Sequence, residues 1–318
     1  MAKAVEGVAG RILPALALLA ALAVAPAAAL DPRYVDADGD LVADTPARTV
    51  DPPTLIFAYT PGEDPALYPR VWDGFMRHLE RVTGKPLKLF PAPSNTAQIE
   101  AMRSGRLHIA AFGTGAVPVA VNCAGFVPMA IMGGERGLLG YQMEIITHPA
   151  SGITNPSDLK GRKVAFTSPT SNSGFKAPSV LLRIEFGLEA GRDYAALFAG
   201  RHENSVLGVV QTDYDAAAIA NEVMHRMMAK GVVKKEQIVT IYTSDTFPTA
   251  GFGLAHNLAP ALAAKIRDAF FSFPWAGSAL EKEFAPLGVS KFMPIAYQKD
   301  WAVVRKVDAE MNIAYTCR

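Results

Sequence analysis

The residues with the clearest capacity for chemistry lie together between Phe166 and Phe175, in the run FTSPTSNSGF. A strand-like apolar run, Lys163 to Phe166, leads into it. Helical apolar spacing follows at Phe175, Ala177, Val180, Leu181 and Ile184. Small hydroxyl residues opening a helix suit an anion, because the first turn carries unpaired N–H groups and the positive end of the helix dipole. Ser171, Asn172 and Ser173 add side-chain donors, and Gly174 lets the backbone come close. The same residue types also make an ordinary helix N-cap. Pro178 is compatible only with the first turn, so the helix start is not defined by the pattern. Downstream, Gly200-Arg201-His202-Glu203-Asn204 opens a second helix. His202 offers one N–H when neutral and a charge when protonated, or is a plain helix-start residue. Glu222 lies in the first turn of a third helix, where the helix dipole favours a solvated acid. Asp215 reads as a tie from a strand start to a neighbouring N–H.

The elements that position these groups follow from the rest of the chain. The 318 residues are 50% hydrophobic and 19% charged, enough for a large core and two lobes. Residues 1–29 read as a secretory signal: Lys3 and Arg11 precede an apolar stretch from Ile12 to Val24, and Ala27 to Ala29 match a small-residue cleavage site. Without Lys3, Arg11 and Glu6, 29 bases face 29 acids, so no basic field favours nucleic acid. No later apolar run is long enough to span a membrane. Cys123 and Cys317 are the two cysteines, and neither CxxC nor HExxH spacing occurs. In an exported chain they suggest one disulfide, with two structural thiols the alternative. No metal or other cofactor is expected. Residues 30–53 read as an extended leader. Its Asp36-Ala-Asp38-Gly-Asp40 resembles the start of a calcium loop, but Thr45 stands where the loop needs Glu.

From Thr54 the pattern alternates. Thr54–Tyr59 is a strand ending in a turn at Thr60; helical spacing at Val71, Phe75, Leu79 and Val82 stops at Gly84. Leu87–Phe90, a helix from Asn95 to Arg103, and Leu107–Phe112, ended by Gly113-Thr114-Gly115, complete βαβαβ. That implies a parallel sheet with ligands at the strand C-termini. Strands at Tyr141–Thr147, Lys163–Phe166, Tyr194–Ala199, Asp215–Ile219 and Ile238–Tyr242 alternate with helices, and late helices cover Pro260–Phe273 and Trp301–Met311. The segment from Ile99 to Ala110 echoes that from Val206 to Ala217, which suggests two similar α/β lobes.

Taken together, Ser171 to Phe175 with Pro178, Gly200 to Asn204, and Met102 to Gly113 resemble the periplasmic substrate-binding proteins of phosphonate, phosphite and phosphate ABC importers, over roughly residues 54–301. The resemblance implies an α/β, two-lobed periplasmic-binding-protein fold of type II. Lobe one is 54–141 and 252–318, lobe two 142–251, and the hinge is two crossovers near Tyr141–Ile146 and Tyr242–Phe252. It implies that Ser171, Asn172, Ser173, Gly174 and His202 hold a phosphorus oxyanion, with Tyr59, Thr60, Asn95, Phe112, Gly113 and Thr114 around it. Glu222 matches a carboxylate that reads the amine of aminoalkylphosphonates. This chain departs from such binders in carrying Asn95 and Phe112 where they place Tyr, Asn172 where they place Thr, and Ala250 where they place Asp. The anion cradle looks kept and the organic-group reader altered, which points to a compact oxyanion rather than 2-aminoethylphosphonate. The expected protein is a monomeric periplasmic receptor, not an enzyme, whose partners are the small oxyanion and a permease of the inner membrane. The alternatives are a sensory binding protein for a membrane receptor and a hydrolase built on Ser171 or Ser173 with His202, although no G-x-S-x-G elbow surrounds either serine.

Overall fold

The computed structural model describes residues 30–59, 68–135, 137–138, 140–315 and 317. The secretory-signal segment and Thr60 lie outside them. In chain order the elements begin with β1 (Leu55–Tyr59), α1 (Tyr68–Thr83), β2 (Leu87–Leu89), α2 (Asn95–Arg103), β3 (Ile109–Phe112), α3 (Val117–Ala124), β4 (Phe126–Gly134) and β5 (Gly137–Leu138). Then come β6 (Gly140–Thr147), β7 (Lys163–Phe166), a π-turn (Asn172–Lys176), α4 (Ala177–Phe186), β8 (Ala195–Phe198), α5 (His202–Val210), β9 (Ala216–Ala220), α6 (Asn221–Ala229) and β10 (Val239–Pro248). The chain finishes with β11 (Gly251–Ala255), α7 (Pro260–Phe271), α8 (Ala279–Phe284), β12 (Lys291–Pro294), α9 (Tyr297–Asp300) and α10 (Ala302–Glu310).

Two sheets form. One has the order β12-β4-β11-β3-β1-β2 with β5 paired on β4; the other has β10-β6-β9-β7-β8. Their inner arrangements match. In the first, β2, β1 and β3 are mutually parallel and β11 and β4 follow antiparallel. In the second, β8, β7 and β9 are parallel and β6 and β10 follow antiparallel. The internal echo therefore has a topological basis, since α2–β3 and α5–β9 occupy equivalent places. Central strands β3 and β9 are buried along their whole length, as strands covered on both faces must be. Rings of Phe57, Trp72, Phe75, Phe252, Phe270 and Phe292 pack at 4.8–6.1 Å to fill the first half.

The chain crosses between the sheets from β5 to β6 and from β10 to β11. These crossovers are shorter than the sequence suggested: Ile146 already pairs with Ala217 and Thr240 inside the second sheet. They also run side by side, with Gly140 paired to Pro248. The C-terminal segment touches both halves. Trp301 is fully buried and donates through Nε1 to the Thr114 carbonyl, 3.0 Å. Farther along α10, Asp308 meets Lys176 of the second half at 2.7 Å. Cys317 is bonded to Cys123 at the end of α3, S–S 2.01 Å.

The leader lies on the first half, where Val50 bridges to Leu258 and the Tyr34 hydroxyl donates to the Cys123 carbonyl. Asp36, Asp38 and Asp40 bring carboxylate oxygens within 4.8 Å of one another. Backbone N–H groups of Asp40, Leu41 and Val42 bond these carboxylates. Among the described residues no helix is long and apolar enough to cross a membrane.

Candidate functional site

The C-terminal ends of the parallel strands in both sheets face one cavity of about 120 Å³. Each strand end contributes: Tyr59 from β1, Gly113 to Gly115 after β3, Thr167 and Ser168 after β7, Gly200 to His202 after β8, and Ala220 and Glu222 at β9 and α6. Asn95, at the start of α2, completes the wall on the first side. Strand C-termini are where an α/β sheet leaves its crevice and its helix N-termini.

Pro178 decides the local form of the serine turn. It has no N–H to offer the Gly174 carbonyl, so an α-helix cannot run from Ser173 through it. The residues Asn172–Lys176 instead form the π-turn, and α4 starts at Ala177 with proline in its first turn. The Gly174 carbonyl accepts from Thr167 N–H, 2.8 Å, which ties the turn to the end of β7. Ser171 Oγ caps the Gly174 N–H at 3.0 Å and keeps its own hydrogen for another acceptor. Asn172 Nδ2 donates to the Tyr141 hydroxyl, 3.1 Å, and Tyr141 is buried beside Thr114, Asn172 and Ser173. Burial raises its phenol, so the hydroxyl stays protonated and can donate. Asn172 Oδ1 and Thr167 Oγ1 are buried atoms with no protein partner among the described residues.

His202 has a defined tautomer. Its Nδ1 accepts the Ala220 N–H at 3.0 Å, which leaves Nε2 to carry the hydrogen. Burial, with Arg226 nearby, pushes the imidazole down to about 4. The ring is partly exposed, and it lines the cavity. It is thus a neutral, single-hydrogen donor at neutral pH rather than a cation. Glu222 lies 3.9 Å from Arg226 one turn on, and Arg226 also sits over the Phe284 ring at 5.5 Å.

Most of the expected residues meet here: Tyr59, Asn95, Gly113, Thr114, Ser171, Asn172, Ser173, His202 and Glu222 all line the cavity, as does Ala250. Two do not. Phe112 is fully buried, edge-on to Phe126 at 4.8 Å. Adjacent strand residues point to opposite faces, and the wall belongs to Gly113. Gly174 stands behind the wall: a Cβ there would lie 2.1 Å from Thr167 Oγ1 and 2.8 Å from Ser171 Oγ, so it serves close packing. Thr114 contributes position, since its hydroxyl donates to the Pro248 carbonyl at 2.8 Å and links the strand end to a crossover. Asp215 accepts from Lys163 N–H at 2.7 Å, away from the cavity. Sequence reasoning missed Tyr141, Thr167, Arg201 and Arg226. The position of Tyr141 at the hinge strand and the basic residue next to His202 were the available signals.

The two halves meet across this cavity. Asn95 Nδ2 donates to Thr170 Oγ1, 3.1 Å. Gly115 is so close to the serine loop that a Cβ would stand 2.5 Å from the Thr170 carbonyl oxygen and 2.7 Å from Asn172 N. Lys176 Nζ donates to the Gly115 carbonyl at 2.8 Å and to Asp308 at 2.7 Å. In this conformation the two halves touch across the cavity.

Known proteins share this layout. The chain is 28% identical over 277 residues to the phosphate-import protein PhnD of Mycolicibacterium smegmatis, 84% of this chain and 85% of that protein. A binding-protein component of an ABC phosphonate transporter from Pseudomonas aeruginosa superposes with TM-score 0.73 at 25% identity, over 84% of this chain and 90% of that one. A Prochlorococcus marinus protein solved in complex with methylphosphonate shares the fold with TM-score 0.72 at 14% identity, over 82% of this chain and 99% of that one. The sequence pattern of ABC transporter phosphonate periplasmic substrate-binding proteins matches residues 57–301, and the chain belongs to that family.

Proposed function

We propose that this protein is the extracytoplasmic receptor of an ABC importer for a compact phosphorus oxyanion: phosphite, phosphate or a small phosphonate. The observation that carries the reading is the convergence of neutral donors on one cavity. These are the first-turn amides of Asn172 and Ser173, the hydroxyls of Ser171 and Ser173, the Tyr141 hydroxyl and the Nε2–H of His202. Such donors replace the water shell of a tetrahedral anion, and closure of the halves completes the enclosure. The closed, loaded form is what the membrane permease reads. Similarity to importer receptors supports this role over a sensory one.

The geometry argues against a serine hydrolase. Ser171 Oγ is held as a cap, and His202 presents a donor rather than a basic lone pair to the cavity. Asp215 accepts from the Lys163 N–H and does not orient the imidazole.

A thermal-shift and calorimetric series with phosphite, phosphate, methylphosphonate, sulfate and selenate tests the reading. A phosphorus oxyanion should bind and sulfate should not compete. Ser173→Ala should then weaken binding by about 1.5–3 kcal/mol, the worth of a hydrogen bond to a charged group. Full affinity in both Ser171→Ala and Ser173→Ala refutes the cradle.

A further inference from the structure

We propose that Arg201 makes the cavity selective for phosphorus oxyanions that carry a second anionic group on a short arm, the phosphonocarboxylates being the class. This rests on the oxyanion reading above and concerns the part of the cavity that the tetrahedral head does not use.

The donors of the serine turn and its neighbours that line the cavity are neutral: hydroxyls, amides and an imidazole held uncharged by burial. The charged side chains in the wall are separate from them in kind. Among the described residues they are Arg201, Glu222 and Arg226. Glu222 and Arg226 face each other at 3.9 Å, so among the described wall residues Arg201 is the cation outside that pair. Its side chain is half-buried and makes no hydrogen bond or ion pair with any described residue. It does not cap the helix it precedes: the N-cap position has extended backbone and no side-chain bond. A half-buried guanidinium has been drawn partly out of water without a partner, which costs free energy unless something else accepts its hydrogens. The group that best matches a guanidinium is a planar carboxylate, bonded through two parallel N–H donors.

The rest of the wall agrees. The side chains of Ala250, Ala220 and Val223 offer no acceptor. An alkylammonium arm would bring a third cation beside two guanidiniums, with one carboxylate already facing Arg226. A bare alkyl arm would leave Arg201 as it stands. A carboxylate on a one- or two-carbon arm answers the charge of Arg201 within a cavity of about 120 Å³.

Calorimetry on the mature protein tests the inference, with phosphonoacetate, phosphonoformate, methylphosphonate and 2-aminoethylphosphonate, repeated on Arg201→Gln and Arg201→Lys. In the wild type, phosphonoacetate or phosphonoformate should bind at least about tenfold tighter than methylphosphonate, the scale of one charge-assisted bond. 2-Aminoethylphosphonate should bind weakest. In Arg201→Gln the ratio of phosphonocarboxylate to methylphosphonate affinity should collapse to within about threefold, and Arg201→Lys should keep part of it. Thermal midpoints of the variants establish that they fold. The inference is overturned if methylphosphonate binds as tightly as both phosphonocarboxylates in the wild type, or if Arg201→Gln leaves the ratio unchanged. Binding of methylphosphonate with no gain from the carboxylate overturns the inference alone. Binding of none of the four, nor of phosphate or phosphite, overturns the oxyanion reading and the inference together.

Discussion

Replacing Lys176 by methionine should damage this protein more than removing any residue of the cavity wall. Lys176 and Asp308 are 2% and 1% exposed, with Nζ and Oδ1 2.7 Å apart. The ammonium also donates to the Gly115 carbonyl at 2.8 Å, and Asp308 Oδ2 accepts the Tyr315 hydroxyl at 2.8 Å. The lysine belongs to the π-turn that forms the anion cradle, Gly115 to the opposite wall, and Asp308 to the C-terminal helix. Methionine would leave Asp308 buried with the tyrosine as its remaining donor. Stranding one charge of a buried pair costs about 3–5 kcal/mol, against a total stability of about 5–15 kcal/mol for a typical domain. The double variant Lys176→Met with Asp308→Leu removes both desolvation costs, so most of the loss should return. Urea unfolding of the wild type, both single variants and the double variant measures the coupling, expected to exceed about 2 kcal/mol. A loss below about 1 kcal/mol in Lys176→Met, or additive single effects, would refute the reasoning.

Gly115→Ala should block closure without unfolding the protein, because the added carbon collides with backbone at Thr170 and Asn172 only when the halves meet. Overpacking of this kind costs about 1–3 kcal/mol, so affinity should fall by about tenfold while the thermal midpoint of the unliganded protein holds; equal affinity would show that closure is not required. For His202, the native imidazole titrates near 4 and the unfolded one near 6.5, so the native state binds fewer protons between these values. Its contribution to stability is complete above about 6.5 and is lost as pH falls toward 4. His202→Gln should flatten the pH dependence of the urea midpoint over that window, and identical slopes would contradict the assignment. Reduction of Cys123–Cys317, which closes 194 residues of sequence, should cost about 5 kcal/mol on the chain-entropy account; two thiols titrating in the native, non-reduced protein would show that the bond does not form.

Much of the architecture was legible because its signals are local. Ser94 caps α2 and the helix spans Asn95–Arg103, as its spacing indicates. The Lys163–Phe166 strand has the expected bounds, and Asn155 with Asp158 forms a capping box over the short turn before it. The π-turn could be anticipated only as a conflict between Ser173 as a start and Pro178. By contrast α3 and β4 were not foreseen. Their residues, Val117 to Gly134, are almost uniformly apolar and buried on all sides, so neither helical nor strand periodicity stands out.

The site divides the same way. Composition and order of Ser171 to Gly174, His202 and Glu222 are enough to suggest an anion, because hydroxyls at a helix start carry that chemistry wherever they occur. Which of them face the ligand is a tertiary matter. Phe112 turns inward because the pleat assigns that face, and Gly174 stands behind the wall in close contact with Thr167. The protonation of His202 depends on the Ala220 N–H, delivered by a strand 18 residues away. The ion pair of Lys176 spans 132 residues. Sequence by itself determined the local chemistry, where each helix can begin and which groups it offers. Only the meeting of the two halves at their strand C-termini decided which donors converge, that Arg201 stands in the wall without a partner among the described residues, and which buried charges must find each other. Those outcomes depend on distances and dielectric surroundings that no local window contains.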